Sequence, residues 1–329
     1  ISDDPSAHYI LGDDIDASKT QHWGNGAGFD PIPEFTGTLR GQGHTVAGLH
    51  IYRPEENRIG LVESTGSFES TKTGTITGIS LVNLSITGAS WTGSVAGYNF
   101  GEISNISVTG KVSGDDYVGG LAGDSNGEFD GGVIERSYST ATVNGNDTVG
   151  GLVGLHGNGG IITSSYAAGE VTGASTVGGL VGDSYGTDPV TSSYWDTAAT
   201  GQTVSAVNAT GLTTAKMTET AARTNMSGLD FEETWQTTNQ YPVLQSLSDV
   251  KSPSDGGNNE SVNINRSAST ATPAVVPANA TAQLTMQVTA TGLSNASAGE
   301  VDLSAADFEL NGASSDDVTI DFTQEAISN

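Results

Sequence analysis

Nine aspartates cluster in or beside pairs: Asp3-Asp4, Asp13-Asp14 with Asp16 close by, Asp115-Asp116 and Asp316-Asp317. Carboxylates gathered this way supply the oxygen ligands that calcium prefers. No EF-hand and no Gly-Gly-x-Gly-x-Asp array accompanies them, so a solvated acidic surface is the simpler account. Calcium is the one ion the pattern suggests, and no other cofactor motif is present. The histidines His8, His22, His44, His50 and His156 are scattered, and no His-Glu-x-x-His occurs, so a zinc peptidase of that type is excluded. The chain has no cysteine, which excludes disulfides, thiolate catalysis and Cys-based zinc sites.

Two further residue sets bear on binding. Asn-x-Ser/Thr sequons start at Asn83, Asn105, Asn146, Asn208, Asn225, Asn259, Asn265, Asn279 and Asn295. Loops present a sequon best, so Asn208, Asn259, Asn265, Asn279 and Asn295 are the glycosylation candidates, while Asn105 falls in a strand pattern. Trp91, Tyr98 and Phe100 interrupt a polar stretch and are candidates for an aromatic platform that holds a glycan or a protein partner. Packing in a core or cap is the competing account of the same three rings.

The composition that surrounds these residues is acidic and turn-rich. Lys and Arg total 11 against 38 Asp and Glu, a formal charge of −27, with 35% hydrophobic residues and 45 glycines in 329 residues. The excess is spread along the chain: beyond Ser248 there are two basic and eleven acidic residues, and the rest carries the remainder. A uniform excess implies adaptation to a solvent rather than a patch for one partner. In molar salt the screening length falls to about 3 Å, and such a surface ceases to repel itself. The reading is a protein of a halophilic archaeon, with nucleic acid and anionic membranes excluded as partners. No apolar run is long enough to cross a membrane. A first residue of Ile1 rather than Met implies a mature chain or a fragment, its secretion signal removed.

Repeats dictate the architecture. Gly93-Ser-Val-Ala-Gly97, Gly119-Gly-Leu-Ala-Gly123, Gly150-Gly-Leu-Val-Gly154 and Gly178-Gly-Leu-Val-Gly182 follow one another at 26, 31 and 28 residues. A second motif keeps step: Ile103 to Gly110, Ile134 to Ala141, Ile162 to Gly169, and a partial copy from Val190 to Trp195. Val, Ile, Thr and Tyr fill the short apolar runs, and Gly, Asn and Asp separate them, which favours strands. One such unit cannot bury its own apolar face, but a stack of copies can. The units are shorter than the roughly 40–50 residues of a propeller blade. A right-handed parallel β-helix, one unit per coil, is therefore expected. Leu121, Leu152 and Leu180 should stack in successive coils, with Val153 and Val181 on the opposite side of an extended strand.

The Gly-Gly-Leu-Val-Gly segments, Ser165 to Gly173 and the closing Ser193-Tyr-Trp-Asp196 resemble the GLUG-repeat proteins of bacterial and archaeal surfaces. So do Tyr9 to Asp16, Phe35 to Val46, Gly211 to Met217, Trp235 and Tyr241 to Leu244. The resemblance spans roughly residues 1–247 and is specific for architecture. It says little about function, because those repeats occur in adhesins, in proteins of unknown role and beside peptidase domains. A fainter likeness joins Gly12-Asp-Asp14, Gly43-His44 and Arg58-Ile59, whose order resembles that of β-helical polysaccharide hydrolases similar to polygalacturonase. There paired aspartates act as acid and base while a His and an Arg bind the sugar acid. The Lys that follows Arg-Ile in those enzymes is Gly60 here, and the opening turn already explains Asp13 and Asp14.

Beyond Leu247 the composition changes. Residues 248–261 form a polar linker with Pro253, Gly256, Gly257, Asn258 and Asn259. Residues 262–329 carry strand patterns at Ala282 to Thr289, Asp307 to Leu310 and Val318 to Phe322. These fit a small immunoglobulin-like β-sandwich, short of the roughly 100 residues of a complete one. Thr214 to Thr224 is the single helix expected, with Thr214 as its N-cap. Together these features describe an extracellular adhesin or fibre module without catalysis. Its partners would be a cell-surface glycan or protein, or copies of itself. A filament or viral-fibre subunit and a polysaccharide-degrading enzyme are the alternatives.

Overall fold

The computed structural model describes residues 1–247, except 68, 70, 128–130, 187 and 188, and beyond them the backbone of four short strands. The chain divides into two compact units, Ile1–Asp249 and Val250–Asn329.

The first unit is a parallel β-solenoid of about six turns. Its principle is visible in one column. Leu39, Ile76, Ile103, Ile134, Ile162 and Val190 are successive register partners on parallel strands, and all six are buried. Ile51, Ile86, Val112, Val143 and Val171 form a second such column. Each side chain is covered by its own copy one coil away, and full burial of one contributes about 1.5–3 kcal/mol.

Leu121, Leu152 and Leu180 stack and are fully buried, with Leu121 N–H donating to Leu152 O (2.8 Å) and Leu152 N–H to Leu180 O (2.9 Å). Val153 and Val181 are also fully buried, not turned outward as an extended strand requires. The leucines sit at a bend between two strands, Asp147–Gly150 and Val153–Gly157 in one coil. Turning a corner breaks the two-residue alternation, so neighbours both face the core. The glycine pair makes this corner fit. A Cβ on Gly150 would lie 1.9 Å from Val153 O, and one on Gly151 would lie 2.4 Å from Gly179 O in the next coil.

The repeated Ser-Tyr has a different logic. Ser137, Ser165 and Ser193 are buried, and each hydroxyl closes two bonds. Ser165 Oγ donates to Thr163 O (2.8 Å) and accepts from Ser137 N–H (3.2 Å) one coil back. Ser137 treats Glu135 O and Ile106 N–H alike, and Ser193 treats Thr191 O and Ser165 N–H alike. A buried hydroxyl with both functions satisfied carries no desolvation penalty left over.

The tyrosines that follow point outward and carry a lateral cap. Tyr138 and Tyr166 stack at 4.9 Å, and Tyr166 OH donates to Pro242 O at 2.6 Å. Gly228 N–H donates to Tyr194 OH, and Tyr241 OH donates to Asp196 Oδ2. Met217, Ala222, Met226, Phe231, Trp235 and Leu244 complete a second apolar core with them. The cap runs back along the wall as far as Ser246, whose carbonyl abuts Gly43 in the second coil. The single helix expected over 214–224 is instead two short helices, Thr214–Met217 and Ala221–Asn225, with Thr213 rather than Thr214 at the first N-cap and no side-chain capping bond. Packing on the tyrosines decides the break, since Met217 and Ala222 are the positions buried.

In the second unit, Ser261–Ile264 pairs antiparallel with Val288–Thr291, and Thr270–Thr272 with Gln283–Thr285. Of the run expected from Ala282 to Thr289, Gln283–Thr285 and Val288 onward are described as strand. Residues 307–310 and 318–322, the linker before Ser261 and the sandwich as a whole lie outside the described residues.

Candidate functional site

One corner of the solenoid turns on a residue in the left-handed region. In successive coils this residue is Arg58, Trp91, Tyr117, Thr148 and Thr176, with φ of 63, 59, 58, 53 and 45°. Backbone bonds clamp the column: Ile59 N–H donates to Trp91 O (3.0 Å), Thr92 N–H to Tyr117 O (3.1 Å) and Val149 N–H to Thr176 O (2.9 Å). Each of these residues costs roughly 1–2 kcal/mol relative to an ordinary conformation. The last glycine of each repeat makes room for the column. A Cβ on Gly123 would lie 2.5 Å from the backbone of Trp91, and one on Gly154 would lie 2.6 Å from that of Tyr117.

Thr148 is buried in this column, while Trp91 and Tyr117 are half-buried and join a row of rings. Trp91 stacks on Tyr117 (5.5 Å, 6° between planes) and on Tyr98 (5.4 Å), and Tyr98 stacks on Phe100 (5.5 Å, 12°). Phe100 is buried at the inner end, while Trp91, Tyr98 and Tyr117 are half-buried. The three aromatics singled out in the sequence are thus brought together, and Tyr117 joins them. The signal for Tyr117 was present: each column residue stands two positions before the first glycine of its repeat.

Asp124 lies beside this row, in register with Tyr98 on one side and Leu155 on the other. It is 4% exposed, and its Oδ1 has no hydrogen-bond partner. Burial pushes its carboxyl up to about 7. Burial also raises the Tyr98 hydroxyl, and the nearby Asp124 adds to that shift. Further along, Asn126 Nδ2 donates to Tyr185 OH (2.8 Å) and Asn158 Nδ2 to Asn126 Oδ1 (3.3 Å). Rings, a carboxyl and amides therefore share one wall.

The other sequence candidates divide. Asp13, Asp14 and His44 converge, with ligand atoms within 4.8 Å of one another. Asp14 Oδ1 lies 3.0 Å from His44 Nδ1 and accepts Thr45 N–H at 2.8 Å, which ties the opening turn to the next coil. If these three held an ion, the imidazole would suit a transition metal better than calcium. Arg58 does not share that position; it stands in the left-handed corner column, with its backbone against Gly97. Asp4 and Asp16 bond to Ser6 and Ser18, and these bonds lower both carboxyls. Asp116 is raised by burial and by Asp115 and Asp147. Asp316 and Asp317 lie outside the described residues. Among the sequons, Asn83, Asn146 and Asn208 are exposed. Asn105 accepts from Arg136 Nε (3.3 Å), and Asn225 Nδ2 donates to Ala221 O (2.8 Å). Asn259, Asn265, Asn279 and Asn295 lie outside the described residues.

No family model matches the chain. The chain is similar to Halomucin of Haloquadratum walsbyi, a halophilic archaeon. The two are 35% identical over 274 residues, covering 72% of this chain and 3% of Halomucin. Among solved structures, a Bacteroides ovatus protein provisionally named an immunoglobulin A1 protease aligns with a TM-score of 0.49 and 19% identity, over 74% of this chain and 87% of that one. No helix among the described residues is long and apolar enough to cross a membrane.

Proposed function

We propose that this chain is an extracellular, cell-surface module of a salt-adapted archaeon, a non-catalytic adhesin whose solenoid holds a binding wall rigidly. The observation that carries the reading is the row Trp91, Tyr98 and Tyr117, three half-buried rings stacked along one wall of a solenoid rich in Ser, Thr, Asn, Asp and Gly. Aromatic rings beside amide and carboxyl groups suit a glycan or a protein surface. The likeness to Halomucin supports surface location, and the GLUG-like repeats support the architecture. Acidic residues support salt adaptation: 38 Asp and Glu stand against 11 Lys and Arg, so most of the acids have no basic side chain to pair with.

The test is adhesion of the labelled full chain to intact haloarchaeal cells and to their isolated surface polysaccharide in molar KCl. Trp91→Ala with Tyr117→Ala should lower retention at least tenfold. Equal retention would remove the wall as the binding face. Release of reducing sugar that disappears in Asp14→Asn would replace adhesion with hydrolysis. Melting temperature should rise from low to molar KCl as acid–acid repulsion is screened. A flat profile would count against salt adaptation.

A filament reading draws on the other end of the solenoid. The strands His8–Ile10 and Ile15–Asp16 each pair on one side only, and Ile10 and Ile15 are 61% and 42% exposed. Open edges with apolar side chains are templates for strand addition. Sedimentation of the full chain against concentration separates a monomer from an assembling subunit.

A further inference from the structure

A pocket of about 430 Å³ lies between residues 24–27 and 52–56, and none of the aromatic row lines it. Ligand pockets usually begin at roughly 300 Å³. Its walls are tied before any ligand arrives. Tyr52 N–H donates to Ala27 O (2.8 Å), and Phe29 N–H donates to His50 O (2.8 Å). Three successive left-handed residues, Gly24, Asn25 and Gly26 (φ 54, 57 and 93°), curl one wall. Arg53 locks the other side to it: Nη2 meets Asp30 (3.0 Å), Nη1 meets Glu56 (3.0 Å) and Nε donates to Phe29 O (3.4 Å).

Two rings here are open, unlike those of the row. Tyr52, which lines the pocket, is 53% exposed, and Trp23, which directly precedes the lining residue Gly24, is 52% exposed. Trp23 has only a tilted contact with Phe29 at 6.5 Å. Open rings beside a pocket offer flat apolar faces on which a ligand ring can stack. Around them stand Asn25, Glu55, Glu56 and Arg53, planar groups that bond paired hydroxyls. Arg53 has five N–H donors and meets Phe29 O, both Glu56 carboxylate oxygens and Asp30, so the guanidinium stands fixed in the pocket lining with donor capacity beyond these four contacts.

We propose that this pocket binds a neutral saccharide, its apolar ring face on Tyr52 and Trp23 and its hydroxyls on Asn25, Glu55 and Arg53. The charge selects against acidic sugars. Asp30, Glu55 and Glu56 outnumber the single Arg53, and the Asp30 and Glu56 side chains are 86% and 58% exposed. The inference rests on the pocket alone and stands whether or not the aromatic row binds.

The experiment is a fluorescence titration of the full chain in molar KCl. Trp195 and Trp235 are buried and Trp91 is half-buried, so Trp23 is the tryptophan most open to a ligand. The probes are neutral hexoses, N-acetylhexosamines and their disaccharides, beside glucuronate and a lysine-rich peptide. A neutral disaccharide should give a saturable change with a dissociation constant of about a millimolar, weakened at least tenfold by Tyr52→Ala. Glucuronate should bind at least tenfold more weakly. Trp23→Phe should abolish the optical change yet keep binding, read by saturation-transfer NMR, within about fivefold. Both side chains are exposed, so the variants should keep the wild-type melting temperature. Absence of saturation with every neutral sugar, unchanged affinity in Tyr52→Ala, or preference for the peptide would each overturn the proposal.

Discussion

Two corner columns of the same solenoid are built to different rules. At one corner, in three successive coils, the residue after the left-handed Arg136, Ser164 and Ser192 is Ser137, Ser165 and Ser193, buried and bonded to both adjoining backbones, while the coil before carries Ile106 after the left-handed Asn105. At the other the left-handed residue itself is Arg58, Trp91, Tyr117, Thr148 or Thr176. The first column repeats its residue because the hydroxyl completes backbone bonds in a dry interior. The second varies because the clamp acts on its backbone, and its side chains range from the buried Thr148 to the exposed Thr176. Identity is therefore held over three coils where it completes backbone bonds and varies where only the backbone is constrained.

Variants can separate the two roles. The largest effect belongs to the core that both corners enclose. Leu152→Ala should lower stability by about 2–5 kcal/mol in chemical denaturation, because Leu121 and Leu180 cannot both close the gap. A smaller loss would mean the coils collapse freely onto a cavity.

Asp124 comes next. Its folded carboxyl is raised to about 7 from 3.8, so between these values the folded chain holds more protons than the unfolded one. Its contribution is full at the acid end and is lost as pH rises through that window, on the order of a few kcal/mol. Asp124→Asn should flatten the fall in melting temperature from about pH 4 to 7 and leave the variant the more stable protein above it. An unchanged slope would place the titrating group elsewhere. Below that range Asp4, Asp16, Asp147 and Asp230, all lowered by hydrogen bonds, act in the opposite sense.

Ser165→Ala should cost about 1–3 kcal/mol, because Ser137 N–H and Thr163 O lose a partner inside the wall. It should leave adhesion unaltered. Thr176→Gly gives the smallest effect, within about 1 kcal/mol, since relief of the left-handed strain is offset by glycine's entropy. If Thr176→Gly destabilised the chain as much as Ser165→Ala, the contrast between the columns would fail.

Much of this was legible in the residues. Matched offsets of two motifs fix a stack of coils, since only copies of the same unit can cover its apolar face. Leu121, Leu152 and Leu180 follow from that directly. The bend at those leucines did not follow, because alternation counts residues and a corner resets the count, as Val153 and Val181 record. The two-helix cap was hidden for a similar reason: isolated helices this short are unstable, and their boundaries are set by the tyrosine ladder they cover.

The sequence by itself determined the salt-suited charge, the absence of thiol chemistry and the repeat that builds the core. These depend on residue types and on near-neighbour spacing, which a linear reading preserves. Only the tertiary structure decided that Trp91, Tyr98, Phe100 and Tyr117 form one row, that Arg58 stands apart from Asp14 and His44, and that Tyr52 faces the loop after Trp23. Residues about 30 positions apart meet only when coils stack at the parallel spacing of roughly 4.8 Å, and which ones meet depends on loop lengths that differ from coil to coil.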